Sequence, residues 1–256
     1  MSYIEKNDTT LPSISIVTAT YNAAALLPHL VASLRGQIDK NFEWVVADGG
    51  SSDGTVKIVE EAGETLRQVL VTSQTDFGIY DALNRAIKLS TGDYYIVLGA
   101  DDTLAPDAIA NYKQAIAETN ADLITAQIQS DAYARGRRVR CLPWLYAQFA
   151  YVSGHAVGLA IKRSLHEQVG YYSRKLPIAA DQLFIQKAMQ MGARLSSHEF
   201  VAGYFDSHGG ASSQDVLGTL LEGYRVQLAL GESKWVQTTL LLVRLIKNWR
   251  HLGRGL

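Results

Sequence analysis

The chain has 256 residues, a formal net charge of -1, and ordinary shares of hydrophobic (47%) and charged (19%) residues, enough for one globular domain with a large core. The near-neutral balance offers no global attraction for a polyanion, so nucleic acid is not an expected partner. The one cysteine, Cys141, permits neither an intrachain disulfide nor a thiolate zinc site and fits a reducing compartment.

Residues 1–12 form a polar tail interrupted by Glu5, Lys6 and Asp8. The tail lacks the apolar core of a secretory signal, which predicts a cytoplasmic protein. No apolar run reaches the roughly 18 residues expected of a membrane-spanning helix.

A β-branched run over 14–20 predicts a first strand, followed by a helical pattern over 23–34. A second apolar strand over 42–47 ends at Asp48, and Gly49, Gly50 and Gly54 then open a helix over 55–62. Strand 68–72, helix 81–89 and strand 94–98 follow, the last stopping at Gly99-Ala100-Asp101-Asp102. Helix 106–119 and strand 122–127 complete the regular alternation.

Beyond Ser130 the pattern gives way to a basic, aromatic stretch containing Arg135, Arg137, Arg138 and Arg140, then Trp144, Tyr146, Phe149 and Tyr151. Strand 156–161, helices 164–169 and 181–191, and strand 199–205 are expected after it. The alternation predicts an α/β fold: a Rossmann-like, mainly parallel sheet flanked by helices, whose ligands collect at the carboxyl ends of the strands. Thr20-Tyr21-Asn22, Asp48-Gly49-Gly50-Ser51 and Asp101-Asp102 each follow a predicted strand, so all three should meet at that edge.

Two adjacent carboxylates repel unless a cation lies between them and a phosphate, and oxygen ligands suit Mg²⁺ or Mn²⁺. Asp101-Asp102 therefore reads either as a metal site or as a solvated turn before the next helix. The Asp48 to Thr55 segment is a glycine-rich turn that is neither a P-loop, since no Gly-Lys-Ser/Thr follows, nor a Gly-x-Gly-x-x-Gly dinucleotide turn.

Four segments in order resemble family 2 glycosyltransferases with the GT-A fold, of the bacterial polysaccharide-building branch. They are Ile16-Val17-Thr18-Ala19-Thr20-Tyr21-Asn22, Asp48-Gly49-Gly50-Ser51-Ser52-Asp53-Gly54-Thr55, Asp76-Phe77-Gly78-Ile79-Tyr80-Asp81-Ala82-Leu83-Asn84 and Leu98-Gly99-Ala100-Asp101-Asp102. The resemblance implies a catalytic domain over 13–212, with a nucleotide-binding part over 13–130 and an acceptor-side part over 131–212, followed by a C-terminal helical extension over 213–256.

The resemblance also assigns roles. Thr20 and Tyr21 line the base pocket, Asp48 accepts a hydrogen bond from the base (uracil, hence a UDP-sugar donor), and Asp76, Gly78 and Asn84 border the nucleotide and sugar. Thr18, Asn22, Ser51, Ala100 and Asp101 complete the donor contacts. Asp101 and Asp102 hold Mn²⁺ or Mg²⁺ on the diphosphate, with His208 as a further ligand from a closing segment. Gly99 departs from the pattern by standing where the first aspartate of the metal element is common. His155 falls on the acceptor side.

Asp181, at a predicted helix start, matches the catalytic base; an aspartate there is also an ordinary helix cap. One base opposite a metal-bound diphosphate implies direct displacement with inversion, onto a glycan or polyprenyl-linked glycan acceptor. The run from Arg135 to Arg140 reads as a solvated loop or as a seat for an anionic acceptor phosphate.

Over 235–252, Trp235, Leu242, Leu245, Ile246 and Trp249 share one side of a helix while Arg244, Lys247, Arg250 and His251 fall largely opposite. Such a stripe suits a membrane surface at the inner face of the cytoplasmic membrane, the domain itself, or a second copy in a homo-oligomer. Two other functions remain open: a sugar nucleotidyltransferase, whose glycine-rich Arg-containing loop is missing after the first strand, and a catalytically degenerate nucleotide-sugar-binding or assembly protein, which Gly99 favours.

Overall fold

The computed structural model describes residues 11–130, 142–152, 155–205 and 215–251. Strand β1 (Ile14–Thr20) is buried on both faces, with Ile14 and Ile16 in one core and Val17 in the other, as a central parallel strand must be. Its neighbour β2 (Glu43–Asp48) is buried along its whole length and pairs with it in parallel, bringing Thr20 opposite Asp48.

Helix α1 (Leu27–Arg35) starts four residues later than its apolar pattern suggests. Pro28 has no N–H to give to a helix interior and so sits in the first turn, while residues 23–26 form a tighter turn before it. Helix α2 (Thr55–Ala62) follows Gly54, whose φ of 93° a side chain would resist.

Strand β3 (Val69–Ser73), helix α3 (Ile79–Leu89), strand β4 (Tyr94–Val97) and helix α4 (Ala108–Thr119) continue the alternation. A two-residue strand β5 (Thr103–Leu104) comes directly after the Asp101-Asp102 pair, and β6 (Leu123–Ser130) follows α4. The acceptor-side half contributes α5 (Pro143–Tyr146), β7 (Leu159–Lys162), α6 (Leu165–Val169), α7 (Ala180–Gln190) and β8 (Leu195–Phe205). Residues 156–158, expected to begin a strand, form a 3-10 turn ahead of β7.

The sheet has eight strands in the order β3-β2-β1-β4-β7-β6-β8-β5. Pairs β1–β2, β2–β3, β1–β4 and β6–β8 are parallel, while β7 and β5 run against their neighbours. This is the expected mainly parallel α/β sheet, with apolar cores on both faces. Strand order reverses on either side of β1, so a crevice opens outside the carboxyl ends of β1 and β4, where ligands bind in open α/β sheets. Thr20-Tyr21-Asn22 and Gly99-Ala100-Asp101-Asp102 flank that crevice.

The C-terminal region adds α8 (Val216–Ala229), whose Val226 joins the core around α7, and α9 (Lys234–Asn248), continued by a 3-10 turn over Trp249–His251. Among the described residues no helix is long and apolar enough to cross a membrane.

β5 is held against β8 at Gly203, where an added Cβ would lie 2.1 Å from the Thr103 carbonyl oxygen and 2.8 Å from Val157 Cγ1. Gly203→Ala must therefore part β5 from β8. It is expected to lower stability by about 1–3 kcal/mol, measured by denaturant unfolding.

Candidate active site

The crevice is built around Asp48. Its side chain is 0% exposed, and its two carboxylate oxygens accept five hydrogen bonds. The Thr20 hydroxyl donates at 2.9 Å and the Ser51 hydroxyl at 2.5 Å to Oδ1; Gly50 N–H, Ser51 N–H and the Ser73 hydroxyl donate at 3.0, 2.8 and 2.7 Å to Oδ2. Burial pushes this carboxyl up, but the hydrogen bonds from Ser51, Ser73 and Thr20 outweigh it and hold it below the usual carboxylate range. The Asp48 carboxylate, expected at the base, is occupied by these five donors and ties together the ends of β1, β2 and β3.

The loop after β1 is locked to the same turn. Asn22, at φ 48°, donates its N–H to the Ser51 hydroxyl at 2.7 Å and accepts the Ser52 N–H at 3.0 Å. Asp53 accepts from Ala24 N–H at 3.0 Å and from the Thr55 hydroxyl at 2.6 Å, closing the first turn of α2. Tyr21 is left exposed above Gly49, in the position of a platform for a flat ring.

Thr18 does not belong to this surface. It points into the core, fully buried, and its hydroxyl accepts the Trp44 indole N–H at 3.0 Å; the two-residue period of a strand puts it beneath the edge rather than on it.

Asp76 turns into the crevice beside Gly49, where an added Cβ would lie 2.9 Å from Asp76 Oδ2. Its other oxygen accepts the Gly78 N–H at 2.9 Å, and Gly78, at φ 104°, starts α3. Arg85, one residue past the recognised third segment, reaches back to donate to the Asp48 carbonyl at 2.7 Å and lies 3.9 Å from Asp76. Its Nε is buried without a hydrogen-bond partner, and its guanidinium is placed between the Asp48 carbonyl and the Asp76 carboxylate. Sequence pattern missed Arg85; its place a helical turn and a half into α3, beyond Asp81, was the available signal.

Asn84 also differs from expectation. Its amide donates to the Tyr172 carbonyl at 2.8 Å and accepts the Tyr172 N–H at 2.9 Å, so both ends brace α3 against the 170s rather than a ligand.

At the end of β4 the turn folds both acidic side chains over Gly99. A Cβ placed there would meet Asp101 Oδ1 at 2.6 Å and Asp102 Oδ2 at 3.0 Å. Asp102 is 1% exposed, accepts the Gly99 N–H at 2.7 Å and approaches His155 Nδ1 at 3.7 Å. Asp101 is the half-exposed member, and Ala100 between Gly99 and Asp101 is buried. The converging oxygens fit a hard divalent cation in chemistry, although among the described residues no group of three or more acidic, histidine or cysteine side chains gathers at one point. His208 and the stretch from Arg135 to Arg140 lie outside the described residues.

His155 stacks on Phe205, ring centroids 3.9 Å apart, and burial pushes its pKa down to about 4. The neutral ring forms a wall beside the acidic turn, and Phe205 was not anticipated from the pattern.

Asp181 sits in the first turn of α7. It is surrounded by protein yet keeps some accessible surface, the situation of a carboxylate at the floor of a cleft. Burial pushes it above the usual carboxylate range; the Tyr80 hydroxyl, 2.8 Å from Oδ1, pulls the other way, and the Glu222 charge adds to the upward push. Glu222, on α8, is buried and accepts the N–H groups of Ile178 and Ala179, each at 2.9 Å. The residues leading into α7 are thus capped from another helix, since Ala179 at the helix start has no side chain able to cap it. Tyr80 and Glu222 were not assigned roles from the sequence, because their partners lie 101 and 44 residues away.

The mainly parallel sheet, with its polar loops gathered at one edge, is a GT-A-like fold. The glycosyl transferase family 2 model matches residues 15–172, and the chain belongs to that family. A PGL/p-HBAD biosynthesis glycosyltransferase of Mycobacterium tuberculosis is 38% identical over 120 residues, 46% of this chain and 47% of that protein, so the match spans about half of the relative. An uncharacterized glycosyltransferase of the same species is 30% identical over 188 residues, covering 70% of each chain.

Among solved structures, S. aureus TarS 1-349 in complex with UDP-GlcNAc superposes with a TM-score of 0.70 at 20% identity, over 93% of this chain and 73% of that one. The mannosyltransferase PcManGT from Pyrobaculum calidifontis, in complex with GDP-Man and Mn²⁺, gives 0.64 at 20%, over 94% and 76%. Membership of this family removes the sugar nucleotidyltransferase reading.

Asp48→Ala leaves five donors without their acceptor and is expected to cost about 3 kcal/mol of stability, read from urea unfolding. Gly99→Asp must shift the carboxylate ends of Asp101 and Asp102 and, because Asp102 is anchored to the Gly99 N–H, is expected to lower stability by about 1 kcal/mol, read from urea unfolding. An unchanged midpoint would refute the packing argument.

Proposed function

We propose that the protein is an inverting glycosyltransferase that moves a sugar from a nucleoside-diphosphate sugar, UDP-linked, to a hydroxyl of a glycan or lipid-linked glycan in cell-surface polysaccharide synthesis. The observation that carries the reading is Asp181: a half-buried carboxylate with a raised pKa, held to α3 by the Tyr80 hydroxyl. Such a group can take a proton near neutral pH more readily than an exposed aspartate.

In this reading the base of the donor lies along Tyr21 and the backbone of the Gly49–Ser51 turn, which Asp48 holds rigid. The diphosphate lies between the acidic turn and Arg85. Asp76, Asp101 and Asp102 make this region too negative to accept a diphosphate unaided, which supports use of Mn²⁺ or Mg²⁺. Asp101, with Asp102 behind it, would hold that ion, which when bound neutralises charge on the departing phosphate.

Asp181 removes the proton of the acceptor hydroxyl. The resulting oxygen nucleophile forms a bond to the anomeric carbon on the face opposite the leaving group, the bond to the diphosphate oxygen breaks, and the configuration inverts. Arg85 holds the diphosphate charge, and the His155–Phe205 wall shields the acidic turn from bulk water. The location that suits a lipid-linked acceptor is the inner face of the cytoplasmic membrane.

Asp181→Asn is expected to lower kcat by about a hundred- to ten-thousand-fold while leaving UDP affinity unchanged. Turnover with Mn²⁺ in the wild type separates this reading from a degenerate binding protein. The acid limb of kcat/KM should rise with pH as Asp181 loses its proton, above the range of an ordinary aspartate. Tyr80→Phe removes a hydrogen bond that favours the carboxylate, so the limb moves to higher pH; Glu222→Gln removes a repelling charge, so it moves to lower pH. Shifts in the opposite directions would exclude Asp181 as the titrating base.

A further inference from the structure

Helix α9 is docked in reverse of the usual amphipathic arrangement. Its polar side chains hold it to the protein: Gln237 Nε2 donates to the Trp144 carbonyl at 2.8 Å, Arg244 to the Leu145 carbonyl at 2.7 Å, and Thr238 Oγ1 lies 3.1 Å from the Tyr224 hydroxyl on α8. One set of apolar side chains faces outward, with Trp235 85%, Ile246 72% and Trp249 66% exposed and Leu242 and Val243 between them, while Leu240, Leu241 and Leu245 are partly buried. The sequence pattern had set Arg244 opposite the apolar stripe; the structure uses that arginine as an inward anchor.

Exposed singly, such residues need no explanation, but a stripe of them over four helical turns, with a tryptophan at each end and only Thr239 interrupting it, does. Between residues 234 and 251 there is no Asp or Glu, while Lys234, Arg244, Lys247 and Arg250 are basic. Arg250 lies over the Trp249 ring, 5.6 Å from its centroid, pairing a cation with an amphipathic ring at the helix end. Pairing with the same helix of a second copy would bring two basic sets together with no acid on either, which disfavours it electrostatically. An anionic lipid surface meets both requirements: hydrocarbon for the stripe, and negative headgroups for Lys234, Lys247 and Arg250 beside it, Arg244 being turned inward.

We propose that α9 is a docking surface for an anionic phospholipid membrane, lying flat with Trp235, Leu242, Ile246 and Trp249 in the headgroup–acyl boundary. Docking stands on the geometry of α9 alone and does not depend on the transfer chemistry. Because the polar face of the helix is already bonded to the domain, the stripe is displayed without unfolding.

Vesicle co-sedimentation of the full chain tests it, with phosphatidylcholine vesicles and with mixed phosphatidylcholine–phosphatidylglycerol vesicles at low and high salt. The protein should sediment with the mixed vesicles, less with phosphatidylcholine alone, and less again as salt rises. Trp235→Ser combined with Ile246→Ser should lower partitioning by about tenfold or more while leaving the thermal unfolding midpoint unchanged, since neither side chain is packed. Lys247→Gln with Arg250→Gln should lower binding to the mixed vesicles alone. Wild-type protein remaining in the supernatant with anionic vesicles would overturn the proposal, as would a double apolar variant that binds undiminished. A wild-type dimer by light scattering that becomes monomeric in the Trp235→Ser, Ile246→Ser variant would assign the stripe to a second copy instead.

Discussion

A buried carboxylate with five hydrogen-bond donors around it organises this molecule. Asp48 stands at the end of a fully buried strand, where an unpaired charge would be prohibitive, so the chain must bring donors to it. Those donors come from the end of β1, from the glycine turn and from the end of β3, so satisfying one charge fixes three strand ends relative to one another. Arg85 then caps the Asp48 carbonyl and is itself positioned beside Asp76. The crevice is rigid for a reason of solvation: loosening any of these segments exposes Asp48 to an incomplete set of partners.

The opposite wall follows a different logic. Asp181 is held above the usual carboxylate range by its surroundings, and two neighbours act on it with opposite sign, the Tyr80 hydroxyl favouring the charged form and Glu222 opposing it. Glu222 also caps the backbone that leads into α7, so α8 contributes to the placement and to the basicity of the same group. The segment beyond the matched family region therefore shapes the surroundings of Asp181, and through α9, packed on α8, it is continuous with the outward-facing stripe.

The strand ends legible from pattern were those whose residues are buried on both faces or followed by glycine. β1 and α2 fall on their expected bounds because β-branched runs and a glycine turn are local signals. α1 begins late because of Pro28, and β8 begins at Leu195 although Ser196, Ser197 and His198 conceal a strand, since parallel pairing with β6 stabilises it from a distance. In the site, Thr18, Asn84 and the Asp48 carboxylate were expected at the ligand, and each is hydrogen-bonded within the protein. Each lies in a recognisable segment; what a segment does not encode is which way a side chain turns.

The sequence by itself determined the alternation of strands and helices, the gathering of the polar loops at one edge of a parallel sheet, and membership of the glycosyltransferase family. The first two follow from periodicity and short-range turn chemistry, which act over a few residues; the third rests on the likeness of four ordered motifs to the family. The tertiary structure alone decided that Asn84 braces Tyr172 from 88 residues away, that Tyr80 reaches Asp181 across 101, and that α9 turns its polar face inward to carbonyl groups 93 and 99 residues distant. An amphipathic pattern is equally consistent with either face buried; the hydrogen-bond acceptors of α5 selected the polar one, and left the apolar one to the solvent.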